Sequence, residues 1–226
     1  MATESRTRDG SPQALGGPAI RLRPPGWTVV LAVMLAGCAA VPAARGPAQS
    51  AASEGDLAAA EDAARTAANA LFSRLNGELM AALQTGGPIA AIDVCKVRAP
   101  MIAAEIEADT GVDIERTSLK VRNPRNAPSE WERQTLQAFE ARHAAGEAWP
   151  GMEARRVVGG TLHWMRPIPM GGMCVSCHGA GEVAPETAAA IAAAYPRDVA
   201  RGFSVGQLRG GFSARVPLGG AAKARD

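Results

Sequence analysis

An apolar residue recurs at every fourth position in an alanine-rich stretch of the chain. Four-residue spacing lines one face of an α-helix, so this stretch is predicted to form a long amphipathic helix. Two consecutive glycines, Gly86 and Gly87, follow the pattern and are predicted to end the helix. The residues that define the apolar face are Leu71, Leu75, Leu79 and Leu83.

A second helical pattern starts at Pro88 and has apolar residues at steps of three and four. Pro100 interrupts this pattern, because proline lacks the N–H that would bond to the carbonyl of Lys96. A kink or irregular turn is therefore expected close to Cys95, before Gly111 ends the helix. The apolar positions are Ile92, Cys95, Ala99, Ile102 and Ile106.

Extended patterns and shorter helices fill the rest of the chain. Residues 112–121 alternate apolar residues with Thr and Ser, which predicts a strand that passes into an ordered loop at Asn123-Pro124. Ser129 precedes acidic residues and an apolar pattern, as expected of a capped helix that runs to about Ala145. A short alanine-rich helix is predicted at 185–194.

A glycine pair also marks a β-hairpin. Residues 155–158 and 161–168 flank Gly159-Gly160, which readily supplies a two-residue turn with positive φ. Residues 210–216 are predicted to form a last strand. The hairpin therefore leads the chain into the cysteine motif described below.

Length and composition fit one folded domain with an export segment. The chain has 226 residues, and a single core usually serves about 100 to 200. Aromatic residues are only 4% and alanine is abundant, which favours a helix-rich, mixed fold over a sandwich or barrel. The net charge is +2 without a clustered basic face, so nucleic acid is excluded as a partner.

The beginning of the chain is typical of an export signal. Arg21 and Arg23 precede an apolar run at 27–36, which is shorter than the roughly 20 residues that span a bilayer but suits a secretory signal. The run ends in Leu35-Ala36-Gly37-Cys38, which resembles a bacterial lipobox. Cys38 is then expected to carry lipid. An ordinary signal peptide with a chance cysteine is the alternative.

This interpretation gives the domain organisation. A lipoprotein signal peptide is predicted at 1–37 and a folded domain at 56–226. Residues 38–55 are rich in Ala, Pro, Ser and Gly without an apolar period, as expected of a flexible tether. The domain is accordingly predicted to be periplasmic and held on a membrane through Cys38.

The run Cys174-Val175-Ser176-Cys177-His178 carries the chemistry. In C-x-x-C-H the thiols are spaced to bond the two vinyl groups of one haem, and the adjacent imidazole binds the iron. Covalent haem is attached outside the cytoplasm in bacteria, which agrees with the export signal. The alternatives are a zinc site that adds Cys95 to the motif, and a thioredoxin-like pair, for which the βαβ context is missing.

The sixth iron ligand stays open at this point. No Met, His or Cys follows His178, so the ligand must come from upstream or be absent. Cys95 is a thiol on an apolar helix face that no disulfide explains. The other candidates are His143, His163, Met152, Met165, Met170 and Met173.

The sequence resembles a family of bacterial haem-c domains with a PAS-like fold, found as small soluble cytochromes and as extracytoplasmic sensor modules. The resemblance rests on four stretches in the family's order: Asp93-Val94-Cys95, residues 117–128, residues 174–179, and residues 195–200 followed by Gly202. It implies an α+β fold with long N-terminal helices, a small antiparallel sheet and one covalent haem c. In at least one member a histidine and a cysteine thiolate hold the iron, which implies His178 and Cys95 here.

Loop residues next to the motif are candidates for further haem contacts. Arg122, Asn123 and Arg125 lie in one of the matching stretches, and guanidinium forks suit the carboxylates of haem propionates. Solvated charges on a loop are the alternative interpretation.

The predicted function is electron transfer or redox sensing, with a redox or signalling protein as the partner. The alternative is a gas-binding haem sensor for nitric oxide or carbon monoxide, with five-coordinate or labile iron. An enzyme is not predicted, because a haem enzyme such as a peroxidase needs a distal acid-base pair that the sequence does not supply.

Overall fold

A long helix opens the part of the chain that the structure describes. The computed structural model describes residues 53–181 and 183–219, so the predicted signal peptide and nearly all of the predicted tether lie outside it. Helix α1 (Glu54–Asp93) begins with a capping box, in which Ser53 and Asp56 accept each other's backbone N–H. None of the helices within the described ranges is long and apolar enough to cross a membrane.

Helix α1 is kinked at the glycine pair. Gly87 has φ 66° and ψ −165°, a conformation outside the helical region that glycine adopts at little cost. Pro88 starts the following turn, so the two predicted helices adjoin without a connecting loop. Before the kink, the buried face of α1 combines leucines with small side chains: Ala60, Ala64, Ala67, Ala68, Leu71 and Leu75.

The helical segment after the kink contains a π-helical turn at Val94–Arg98, followed by α2 (Ala99–Thr110). The N–H of Ala99 donates to the carbonyl of Val94, five residues earlier. Pro100 lies in the first turn of α2 and has no N–H to donate. The irregularity predicted beside Cys95 is therefore confirmed, as is the end of the helix at Gly111, which has φ 73°.

Four antiparallel strands form one sheet in the order β1-β4-β3-β2. Gly159 and Gly160 have φ of 57° and 75° and connect the predicted hairpin. The order places the last strand, β4, between β1 and β3. The sheet is therefore complete only when the end of the domain has paired with it. The strands are β1 (Asp113–Thr117), β2 (Ala154–Val158), β3 (Thr161–Pro169) and β4 (Leu208–Pro217).

Hydrophobic clusters cover both faces of this sheet. On one face Trp164 and Phe212 pack with Ile102 and residues of α1. On the other face Leu136 and Phe139 of α3 (Glu130–Ala144) pack with Met152 and Met165. Burying each large apolar side chain contributes about 1.5 to 3 kcal/mol. The predicted α+β class, with a long N-terminal helix and a small antiparallel sheet, is confirmed and is consistent with a PAS-like fold.

Strand β1 is shorter than the predicted strand at 112–121. It stops at Thr117, because the Ser118 hydroxyl donates to the carbonyl of Arg209 on β4, at 2.7 Å, and replaces the backbone ladder. The chain then forms a loop with a single 3₁₀ turn, Pro124–Asn126. This loop borders the cleft that contains the cysteine motif.

Candidate functional site

One cleft brings together the residues that the sequence singles out for iron binding. Its walls are α1, the π-helical turn, the β1 and β4 side of the sheet, the 117–126 loop and the cysteine motif. Leu75, Leu79, Ile92 and Phe212 make much of its surface apolar. The candidate ligands that line it are Cys95, Met173, Cys174, Cys177 and His178.

The backbone around the motif is held in a short helical conformation. Met170, after β3, exchanges hydrogen bonds with the segment before β4, through Gln207 O at 2.8 Å and the Gly206 N–H at 2.9 Å. A 3₁₀ turn (Gly172–Cys174) then leads into helix α4 (Val175–His178). Residues three apart share a face of such a turn, and both motif thiols accordingly line the same cleft.

His178 is oriented by a backbone carbonyl. Its Nδ1 lies 2.8 Å from Ala200 O, and a carbonyl oxygen only accepts, so Nδ1 carries the proton and Nε2 keeps its lone pair. Burial, followed by the charges of Arg209 and Arg122, lowers the pKa of His178 to about 3. The imidazole is therefore neutral at physiological pH, which is the state that binds a metal.

Arg122 and Asp198 hold that carbonyl in place. Arg122 Nη2 donates to Cys177 O at 2.6 Å and to Ala200 O at 3.3 Å, and its Nε lies 3.3 Å from Asp198 Oδ1. Asp198 is 1% exposed and accepts the N–H of Ala200 at 2.9 Å. Burial alone would raise the pKa of Asp198, but hydrogen bonds from Arg201 and Ala200 and the charge of Arg122 lower it below its usual value.

Cys95 faces the cleft from the π-helical turn. The side chain is half-buried, whereas the other members of its predicted apolar stripe are buried. A π turn contains one more residue than an α turn, so it shifts the residues within it around the helix axis. The prediction placed Cys95 on the same stripe as Ile92 and Ala99; in the structure Ile92 and Cys95 both line the cleft, and Cys95 is the more exposed of the two.

The other candidates for the sixth ligand, except Met173, are used in packing. His143 stacks on Trp149, with ring centroids 3.8 Å apart, and His163 meets the edge of Trp131 at 6.0 Å. The methionines at 152, 165 and 170 are buried in hydrophobic clusters. Of the candidates, only Cys95 and Met173 line the cleft with the motif.

The loop residues predicted to contact propionates lie in different environments. The Nε and Nη2 atoms of Arg122 are engaged by Asp198 and by backbone carbonyls. Asn123 lines the cleft, and its side chain accepts the N–H of Arg125 at 3.1 Å. Arg125 itself is exposed and outside the cleft lining.

Arg116 on β1, Arg209 on β4 and Tyr195 are polar residues of the cleft lining for which no role in the site was predicted. The position of Arg116 could have been predicted from the strand pattern. It lies two residues after Ile114, and side chains two residues apart in a strand point to the same face. Arg209 follows Leu208 at a register irregularity opposite Pro169, where the alternation of side chains is interrupted. No local pattern could place its side chain in the cleft.

The donor set fits an iron porphyrin better than a zinc ion. Within the described residues, no three His, Cys, Asp or Glu side chains are grouped closely enough to hold a metal ion, which argues against a tetrahedral site of Cys95 with the motif. A haem instead needs thiols and imidazole spread along one apolar cleft. The three described cysteines are free, so each thiol is available.

Comparisons with known proteins agree with this interpretation. The family model described as Tll0287-like matches residues 48–217. Among solved structures, that of the cyanobacterial heme-protein Tll0287 is similar, with a TM-score of 0.54 and 26% identity, covering 76% of this chain and 100% of the other. No curated protein matches the chain. The resemblance to a family of small haem-binding domains is confirmed.

Proposed function

The chain belongs to the Tll0287-like family, and on that premise we propose that it is an exported c-type cytochrome with one haem, acting in electron transfer or redox sensing. The observation that carries the proposal is the neutral, backbone-oriented imidazole of His178 in the same cleft as Cys174 and Cys177. When bound, the haem supplies one-electron exchange between ferric and ferrous iron.

The residues divide the work of holding the haem. Cys174 and Cys177 would form the thioether bonds to the haem. His178, through Nε2, and Cys95, through its thiolate, would be the iron ligands. A thiolate is an anionic, electron-rich ligand that favours ferric iron, so the reduction potential is expected to lie below that of a His/Met cytochrome.

The composition of the cleft supports a role without substrate turnover. Among the described residues that line it, His178 is the only histidine, and none is Asp or Glu. Histidine and the carboxylates are the side chains that most often act as general acid or base, and the one histidine of this lining is the proposed iron ligand. We therefore propose a carrier or sensor that acts through a redox or signalling protein.

Gas sensing is the second candidate, and the π-helical turn favours it. Cys95 lies between the kink at Gly87 and Pro100, which donates no backbone hydrogen bond. Such a segment can move with little loss of backbone bonding. Release of Cys95 on reduction would open the iron to a ligand such as nitric oxide or carbon monoxide.

Optical spectroscopy tests the proposal and separates the two candidates. Protein made with haem-maturation machinery is expected to give a pyridine haemochrome of the c type and to keep its colour through acid-acetone extraction. Cys95→Ser is expected to shift the oxidised spectrum, whereas Met173→Leu, on the same cleft, is expected to leave it unchanged. Colourless protein, or haem extracted by acid-acetone, contradicts the proposal, and carbon monoxide binding to the reduced protein favours the gas sensor.

We also propose that the protein is anchored to a membrane through lipid on Cys38, a residue outside the described ranges. In cells that process lipoproteins, the unaltered chain is expected in the membrane fraction with the mass of a lipidated Cys38. Cys38→Ser is expected to remove both the lipid and the membrane association, with Cys95→Ser as the matched control. Membrane association of the Cys38→Ser protein contradicts the proposal.

A further inference from the structure

The cleft has an excess of positive charge. Three guanidinium groups line it, those of Arg116, Arg122 and Arg209, and no carboxylate lines it within the described residues. Asp198 lies behind the lining and is paired with Arg122. Two positive charges, on Arg116 and Arg209, are left without an acidic partner in the described part of the chain.

Arg116 is the less compensated of the two. In the residues that the structure describes, the side chain of Arg116 makes no hydrogen bond or ion pair; the residue is half-buried and lines the cleft. Burial lowers the pKa of Arg116, and the sulfur of Cys95 only partly opposes this. A half-buried cation that lines a largely apolar cleft without an acidic partner favours an anion as the group that completes the site.

Arg209 has only neutral partners. Its Nη1 donates to Ser118 Oγ at 3.1 Å and approaches Lys120 O at 3.5 Å, and its guanidinium carbon lies 5.4 Å from the centre of the Phe203 ring. Burial and then the charges of Arg122 and Arg116 lower the pKa of Arg209 to about 10. The hydroxyl and the ring position this guanidinium without neutralising it.

We propose that Arg116 and Arg209 form a dicarboxylate-binding end of the cleft, where they hold the two propionates of the haem. The inference rests on the proposed function and deepens it. Two propionates carry two negative charges, which equal the two uncompensated cations. The planar fork of a guanidinium donates two parallel hydrogen bonds to a carboxylate. The charge of Cys95, by contrast, is taken up by the iron that it binds.

Arg122 and Arg125, the arginines of the loop near the motif, have other roles than propionate binding. Arg122 supports the backbone carbonyls of Cys177 and Ala200, so we assign it to positioning His178 and not to the carboxylates. Arg125, on the surface, has no part in either site. It provides a matched control, because it lies close to Arg122 in the chain and carries the same charge.

The test measures how much of the haem affinity depends on the propionate charges. The background is Cys174→Ala/Cys177→Ala, which is expected to bind protohaem reversibly through His178 and Cys95. Dissociation constants are measured by optical titration for protohaem and for its dimethyl ester, which keeps the ring but lacks both negative charges. The ester is expected to bind about tenfold or more weakly. With Arg116→Gln/Arg209→Gln added, the two ligands are expected to bind within about twofold of each other, and with Arg125→Gln the original ratio is expected to remain.

Each outcome has one meaning. Equal affinity of the background protein for acid and ester overturns the inference and leaves the proposed function intact. An acid-to-ester ratio that survives the double arginine change also overturns it, as does equal weakening of both ligands by Arg116→Gln, which would make Arg116 a counter-ion of Cys95. Failure of the background protein to bind either ligand also overturns the inference, whereas the proposed function is tested separately by the covalent haem of the unaltered protein. The ratio in the background protein needs no arginine variant, so misfolding of the double variant does not remove the test.

Discussion

At the scale of single residues, the buried pair of Asp198 and Arg122 connects the loop after β1, the cysteine motif and Ala200. Arg122 donates to the carbonyl of Ala200, and the same oxygen accepts the N–H of His178 Nδ1. Asp198 in turn accepts the N–H of Ala200. Removing one member of a buried ion pair leaves the other charge uncompensated, which typically costs about 3 to 5 kcal/mol. The pair is therefore expected to set both the stability of this loop and the orientation of the imidazole.

Asp198→Asn is predicted to lower the free energy of unfolding by about 2 to 4 kcal/mol at pH 7, because the amide keeps a hydrogen-bond acceptor but loses the charge. The pKa of Asp198 is lower in the folded protein than its usual value of 3.8, so the carboxylate contributes stability above that value. The contribution is lost as the pH falls through the folded-state pKa. The difference between the two proteins should therefore shrink below about pH 4. Urea denaturation followed by circular dichroism at several pH values measures it.

Asp109→Asn is the matched control, because Asp109 is exposed near the end of α2. It is expected to change the free energy of unfolding by less than about 0.5 kcal/mol. A loss of stability for Asp198→Asn that is the same at pH 7 and at pH 3 would show that the charge of Asp198 is not what stabilises the loop.

At the scale of elements, local signals were enough for most helices and turns. The Gly159-Gly160 hairpin, the cap at Ser129 and the end of α2 at Gly111 are each decided by residues close in sequence. The length of β1 was wrong in the prediction, because the strand ends where Ser118 contacts Arg209, 91 residues away. A contact of that range leaves no pattern in a single sequence.

The same distinction between local and long-range contacts applies to the residues of the candidate site. The motif and Cys95 could be found from spacing and resemblance, and both line the cleft. Arg116 and Arg209 line the same cleft because β1 pairs with β4. Arg122 and Arg125 could be proposed because they lie in a matching stretch, whereas no local pattern shows that Arg116 and Arg209 share a cleft.

Strands β1 and β4 approach so closely at Gly210 that only glycine fits. A Cβ added there would collide with the carbonyl oxygen of Thr117, a backbone atom that cannot move aside cheaply. Gly210→Ala is therefore predicted to destabilise the protein by about 1 to 3 kcal/mol. Because Gly210 also lines the cleft, the change is expected to disturb the spectrum of bound haem. Denaturation curves and optical spectra of the purified variant measure both effects.

The same substitution at Gly77 is expected to have the opposite effect on stability. Gly77 is exposed within α1, and nothing lies within 4 Å of an added Cβ. Alanine there is expected to stabilise the protein by about 0.5 to 1 kcal/mol without a change in the haem spectrum. Equal effects of the two changes would show that the contact between β1 and β4 does not limit the size of residue 210.

At the scale of the whole molecule, the cleft connects elements that are far apart in sequence. It is lined by α1 and the π-helical turn on one side, and by β1, β4 and the motif on the other. Its surface combines apolar side chains with the uncompensated guanidiniums of Arg116 and Arg209. Apolar surface is unfavourable in contact with water, and a guanidinium is unfavourable where apolar side chains replace part of its water, so the domain is expected to depend on its cofactor for part of its stability.

Haem is accordingly predicted to raise the melting temperature of the Cys174→Ala/Cys177→Ala protein, which is expected to bind it without covalent bonds. A ligand that binds only the folded state stabilises it by about 2.7 kcal/mol when its free concentration is 100 times the dissociation constant. Adding His178→Ala is expected to remove most of this stabilisation, because the iron loses the imidazole that Ala200 orients. His143→Ala, at an exposed histidine stacked on Trp149, is expected to keep it. Thermal melts followed by circular dichroism, with and without haem, measure the change in melting temperature. Equal changes in both histidine variants would mean that haem binds somewhere other than this cleft.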